Sequence, residues 1–139
     1  FGSFDGHNSV PAEYDTRIQS PLSREDLDFL IRTLPLRRAP GPDGVPNELL
    51  RCLPTAVIDR IHGVINEALT KGVFPANWKD CVVTLMTKKP PAELLSNQRP
   101  VALCNTVYKL FSYVITDRLT ATVEENGIME NEQEGARSE

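Results

Sequence analysis

Histidine and cysteine are scarce and scattered, and that scarcity removes several chemistries. The 139 residues hold two histidines, His7 and His62, and three cysteines, Cys52, Cys81 and Cys104, with no C-x-x-C pair. A zinc site needs about four ligands at short paired spacings, and none can be assembled here. The odd cysteine count suits an intracellular protein, and all three lie in or beside apolar stretches, which predicts buried free thiols. His62 falls midway along a helical stretch with no serine motif nearby, so a Ser–His–acid triad has no footing. Neither G-x-x-x-x-G-K-[ST] nor G-x-G-x-x-G occurs, and Gly41 and Gly44 are read as turn glycines rather than a nucleotide cradle. No apolar run approaches the roughly 20 residues of a bilayer-crossing helix, so no membrane partner is expected. The N-terminal Phe1-Gly-Ser-Phe-Asp-Gly-His7 has neither a basic region nor an apolar core, which argues against secretion. A start at Phe rather than Met suggests a piece of something longer.

What remains is one domain's length of chain. Hydrophobic residues make up 40%, charged residues 24% and aromatics 6%, a globular mixture with a slightly lean core. The formal net charge is -4, but it is unevenly spread. Residues 1–36 and 119–139 are acidic, while residues 37–118 carry eleven positive against seven negative charges. Phosphate binding depends on local basic surface more than on the total, so the middle permits a nucleic-acid partner without demanding one.

Residues 1–21 show no period and contain Pro11 and Pro21, which predicts an irregular lead-in. Ser23 offers an N-cap hydroxyl, Asp26 can reach back to the Ser23 amide, and Leu22 and Leu27 are spaced as a staple. That helix should run to about residue 34, burying Leu27, Leu30, Ile31 and Leu34, until Pro35 stops it. Residues 35–46 form a connector rich in proline and glycine. Within it, Pro42-Asp43-Gly44 reads as a tight turn and Pro46 as the start of a short helix through Leu53. Pro54 or Thr55 opens the next helix, with Val57, Ile61, Ile65, Ala68 and Leu69 inward and Gly72 as its C-cap. Phe74, Pro75 and Trp78 are expected to act as a packing plug.

Residues 81–87 are short, apolar and β-branched, hence a strand, and residues 99–103 return as its partner across a polar loop. Asn105 then caps a helix over residues 106–125, with Val107, Leu110, Phe111, Val114, Ile115 and Leu119 inward. At about 30 Å that helix outruns the rest. Gly127 closes it, Ile128 folds back, and residues 129–139 form an acidic tail. The expected fold is α+β, mainly helical with a small antiparallel β-hairpin. Two-metal chemistry needs carboxylates converging on ions about 3.5–4 Å apart, and the acidic residues here cluster instead at a helix end and in the tail. The site-like feature is the hairpin, which should bring Lys88, Lys89 and Arg99 to one end. An Arg fork beside a mobile Lys charge suits a triphosphate, although a solvated basic tip is the simpler reading of the pattern alone.

A series of segments adds to that reading. Arg38-Ala-Pro-Gly-Pro-Asp-Gly-Val-Pro-Asn-Glu-Leu-Leu50, Phe74-Pro-x-x-Trp78-Lys79 and Val83-Thr-Leu-Met-Thr-Lys-Lys89 come first. Asn97-Gln-Arg-Pro-Val-Ala-Leu103, Asn105-Thr-x-Tyr-Lys-Leu-Phe111 and Asp117-Arg-Leu119 follow. In this order they resemble the N-terminal part of the reverse transcriptases of non-LTR (LINE-type) retrotransposons, over about residues 22–137. The resemblance implies the fingers and first edge of the palm of a right-hand polymerase over residues 22–128. It implies that Arg99 holds the triphosphate of the incoming dNTP, and that Lys88 or Lys89 contacts triphosphate or template. It makes Pro40, Gly41, Pro42, Asp43 and Gly44 a structural motif that sets fingers geometry. RNA template, DNA primer and a palm domain are implied as partners in the complete enzyme, in nucleus or cytoplasm. Mg²⁺ is implied for that enzyme on palm aspartates further downstream, so this stretch by itself is expected to be inactive and to hold no cofactor. Gln133-x-Gly135 resembles the start of the family's next motif, but Ala136 replaces the aromatic before Arg137. The alternative is a non-catalytic, domesticated or truncated binding module that keeps the fingers fold. In either case the last helix should expose an apolar face, which predicts self-association.

Overall fold

The three-dimensional structure, a computed structural model, describes residues 16–91 and 94–125. Most of the lead-in, the Gly127 stop with Ile128, and the tail with Gln133, Gly135, Ala136 and Arg137 lie outside the described residues. In chain order the elements are α1 (Arg24–Thr33), α2 (Asn47–Leu50), α3 (Thr55–Lys71), a 3-10 turn (Ala76–Lys79), β1 (Cys81–Thr87), a second 3-10 turn (Leu95–Asn97), β2 (Gln98–Cys104) and α4 (Thr106–Glu125). The architecture is α+β, helical with a two-stranded antiparallel sheet. Residues 16–18 of the lead-in are also helical.

Helix α1 starts at Ser23, whose hydroxyl oxygen accepts from the Asp26 N–H at 3.0 Å. The rest of the cap differs from the expected box: Ser23 Oγ donates to the Asp26 carboxylate at 2.6 Å. At the other end Arg51 supplies what the helix lacks. Its guanidinium donates to the carbonyls of Ile31, Arg32 and Leu34 at 3.3, 2.6 and 2.8 Å. These last-turn carbonyls have no partner within the helix.

The core lies between α1, α2, α3 and α4. Leu27, Ile31 and Leu34 meet Leu50, then Ile58, Ile65, Ala68 and Leu69, with Trp78, Leu110 and Val114 closing the cluster. Each large side chain there contributes on the order of 1.5–3 kcal/mol before chain entropy is counted. Two inward assignments are corrected. Val57 and Leu119 are exposed, and Ile58 takes the inner place on α3. The stripe from Ile58 through Ile61 to Ile65 keeps helical spacing, and Val57 sits one residue off it. Helix α2 ends at Leu50 rather than Leu53. Gly72 ends α3 at φ +66°, donating its N–H to the Ala68 carbonyl at 3.1 Å. Phe74 and Trp78 pack with Tyr108 and Phe111, the Phe74–Phe111 and Trp78–Tyr108 pairs being edge-on at 5.4 and 5.9 Å.

The described residues just before α1, from Ile18 to Leu22, are tied down by polar side chains. Asn66 accepts from the Leu22 N–H at 2.7 Å and donates to its carbonyl, and His62 Nε2 lies 2.7 Å from the same carbonyl. Arg118 donates to the carbonyls of Ile18 and Ser20 at 2.8 and 2.6 Å, and its burial pushes the guanidinium pKa down.

The thiols depart most from expectation. All three are free, Cys52 and Cys81 are exposed and Cys104 is half-buried. Cys81 opens β1 and Cys104 closes β2 at the base of the ribbon, where the helical body covers them only in part, and Cys52 follows the single turn of α2. The exposed apolar surface is likewise on the ribbon more than on the last helix. Val82, Val83, Leu85 and Met86 are each between 48% and 61% exposed, whereas on α4 Leu110 and Val114 are buried and Tyr113 and Leu119 carry the exposed apolar surface that was expected there.

The two motif glycines have different reasons to be glycine. Gly44 has φ +68° and closes the 41–44 turn by donating its N–H to the Gly41 carbonyl at 3.0 Å. Gly41 was expected to be a turn glycine, but its need is space. A Cβ there would lie 2.4 Å from the Cys104 carbonyl carbon and 2.5 Å from the Asn105 nitrogen. We therefore expect Gly41→Ala to cost about 3 kcal/mol by overpacking. Gly44→Ala, with open space around it, should cost about 1 kcal/mol through backbone strain alone. Urea midpoints at unchanged m-value check the ranking, and equal costs would refute it.

A second expectation concerns acid stability. The Arg37 N–H donates to the Glu48 carboxylate and holds its pKa below the ordinary 4.5, and Arg17 does the same to Glu125. A carboxylate depressed in the folded state stabilises fully above its unfolded pKa and loses that contribution as pH falls through the folded value. Urea midpoints should therefore decline below pH 4.5, and Glu48→Gln should flatten part of that decline.

Candidate functional site

The ribbon register settles which candidate residues share a face. Cys81 pairs with Cys104, Thr84 with Val101, Met86 with Arg99 and Thr87 with Gln98. The ladder continues one rung past the strands, because Lys88 donates its N–H to the Asn97 carbonyl at 2.7 Å. Side chains alternate along a strand and directly opposed residues share a face. Lys88 therefore falls on the face of Met86 and Arg99, diagonal to Arg99 at the open end of the ribbon. Lys88, Lys89 and Pro90 form the bend after β1, and Lys89 lies beyond the last rung. All three cations are exposed, and among the described residues none has a carboxylate partner within ion-pair distance. The register brings Lys88 and Arg99 together and leaves Lys89 apart.

The geometry of the tip depends on residues that the sequence reading did not single out. Asn97 is buried, and its side-chain amide donates to the Pro91 carbonyl at 2.9 Å while its backbone carbonyl takes the Lys88 rung. Pro100 sits inside β2 without breaking it. Hydrogen-bonded and non-bonded pairs alternate in an antiparallel ladder, so the Lys88–Asn97 bond makes Leu85–Pro100 a non-bonded pair. The missing N–H of Pro100 would have pointed away from β1.

The connector motif is anchored to the start of α4. Asn105, expected as a cap, does precede the helix, and its carbonyl accepts from the Lys109 N–H at 3.0 Å. Its side chain is spent elsewhere: Oδ1 accepts from the Asp43 N–H at 3.1 Å and Nδ2 donates to the Asn77 carbonyl at 2.8 Å. Thr106 donates to the Val45 carbonyl at 2.6 Å, and Lys109 to the Ala39 carbonyl at 3.2 Å. The Asp43 carboxylate accepts from the Val45 N–H at 3.1 Å. Pro40, Pro42, Asp43 and Gly44 are exposed and Gly41 half-buried, so the motif is a braced surface loop. A signal was present in the sequence, since polar Asn105, Thr106 and Lys109 recur next to an apolar helix start, but nothing local names their partners some sixty residues away.

The implied magnesium does not fit these residues. Among the described residues no three His, Cys, Asp or Glu groups come together. Asp28 and Asp59 do converge, but on Arg24, with Asp59 at 2.8 Å from its Nε. Nor is any described helix long and apolar enough to cross a membrane.

No family model matches the chain. It is 34% identical over 119 residues, 84% of its length, to "Probable RNA-directed DNA polymerase from transposon BS" of Drosophila melanogaster, of which it spans 13%. It is 30% identical over 122 residues, 88% of its length, to "Transposon TX1 uncharacterized 149 kDa protein" of Xenopus laevis, of which it spans 9%. A third relative, "RNA-directed DNA polymerase from mobile element jockey" of Drosophila melanogaster, is 31% identical over 72% of the chain, which spans 11% of it. Over most of its length, therefore, the chain is homologous to one short stretch of the RNA-directed DNA polymerases of non-LTR retrotransposons.

Proposed function

We propose that this chain is the fingers and first edge of the palm of a retrotransposon RNA-directed DNA polymerase. In that role Lys88 and Arg99 grip the triphosphate of the incoming dNTP, and the exposed ribbon lies beside the RNA template. The observation that carries the reading is the Lys88–Asn97 rung, which keeps both cations on one face at the ribbon's open end. The homology to polymerase segments supports it.

The chemistry is that of positioning. Arg99 offers a planar fork for two phosphate oxygens, and Lys88 a compact charge that follows the developing negative charge. Phosphoryl transfer depends largely on such placement and charge stabilisation. Lys89, in the bend, reaches template or triphosphate from the side. The segment from Pro40 to Gly44 sets the angle of the ribbon through its anchorage on Asn105. Metal ions come from outside these residues, as do the DNA primer's contacts with the palm. The place of action on this reading is intracellular, in nucleus or cytoplasm.

In a complete element polymerase carrying this segment, Arg99→Ala should lower kcat/KM for dNTPs about 10²–10³-fold, with primer–template affinity unchanged. Arg99→Lys should recover part of the loss, and unchanged steady-state kinetics would refute the role. For the chain by itself, RNA affinity should fall steeply with added salt, and replacing Lys89 by Ala should reduce the log–log slope by about 1. Absence of RNA binding even at low salt would count against the template contact.

A further inference from the structure

Cys81 and Cys104 are not merely two of three scattered thiols. They face each other directly at the base of the ribbon. The Lys88–Asn97 rung makes that pair hydrogen-bonded, and alternation then makes every odd step from it, Cys81–Cys104 included, a non-bonded pair. In such pairs the Cα atoms stand about 4.5 Å apart with the side chains at their closest, inside the roughly 4.4–6.8 Å window that a disulfide spans. A second observation agrees. Both thiols line one cavity of about 430 Å³ together with Phe74, Trp78, Tyr108 and Phe111.

We infer that Cys81 and Cys104 form a reversible dithiol–disulfide site that is oxidised by small-molecule disulfides of the glutathione class. Exposed Cys81 attacks as the thiolate on one sulfur of glutathione disulfide, releasing one glutathione and leaving a mixed disulfide. The Cys104 thiolate then attacks the Cys81 sulfur and releases the second glutathione. Two protein thiols are oxidised, one glutathione disulfide is reduced to two thiols, and the two cysteine protons pass to the released thiolates. The product staples β1 to β2 one residue before Asn105, so oxidation locks the ribbon's base to the point where it joins the helical body. The inference stands apart from the polymerase reading, because it needs only the register and the cavity.

The test uses the full chain with Cys52→Ser, equilibrated in mixtures of reduced and oxidised glutathione and then alkylated. The expected result is a monomer that has lost two hydrogens and whose tryptic peptides carrying Cys81 and Cys104 are joined. The bond should raise the melting temperature by about 5–10 °C. Trp78, the only tryptophan, should report the change in fluorescence, since it lines the same cavity. Cys104→Ser should stop at the glutathione adduct on Cys81 and show no gain in melting temperature. Persistent adducts on both thiols, bonds between two molecules, or two free thiols in a mixture that modifies Cys52 of the natural chain would each overturn the inference. Peptide mapping of the natural chain decides the matter even if a variant fails to fold.

Discussion

The tightest constraint in this molecule is the approach of Gly41 to the backbone joining Cys104 and Asn105. Two peptide segments sixty residues apart touch there with no room for a methyl group between them. Because β2 ends at Cys104 and α4 begins at Thr106, the contact sets how the ribbon leaves the helical body. It also brings the connector's backbone within reach of Asn105, Thr106 and Lys109, which bond to Asp43, Val45 and Ala39. Without that approach the buried side chains of Asn105 and Thr106 would lose these partners, at roughly 1–3 kcal/mol apiece, while the half-buried Lys109 could turn to water.

The body and the ribbon are stabilised in different ways. The helices share an apolar core, and their ends are satisfied from a distance by side chains such as Arg51 and Arg118. The ribbon has its ladder, the Asn97 anchor and its junction with α4, and much of its surface is open. Two exposed strand edges invite further pairing. Pro100 has no N–H to offer on the outer edge of β2 and blunts that side. An exposed ribbon with cations at its free end and thiols at its base is suited to contact something other than its own core.

Charge follows the same division. Arg24 is held by Asp28 and Asp59, and Arg17 by Glu125, so these guanidiniums serve the fold. Lys88 and Arg99 have no such acidic partner among the described residues. Like charges on one face without a counter-ion raise the local positive potential, which is what the proposed triphosphate contact rests on.

Residue order alone determined what depends on near neighbours. The Ser23 start, the Gly72 stop, the strand over Cys81–Thr87 and the start of α4 at Thr106 follow from capping, φ preference and periodicity, and they were legible without coordinates. The family likeness was legible too, since it rests on motifs in series. Long-range packing decided the rest. Periodicity marks a stripe but not its limits, so Val57 and Ile58 exchanged places. Apolar flanks suggested buried thiols, yet whether a ribbon is covered depends on what packs on it. Only the tertiary contact shows that Gly41 needs space, and only the pairing of strands gives Lys88 and Arg99 a common face and sets Cys81 opposite Cys104. Register is a relation between two segments, and neither segment carries it alone.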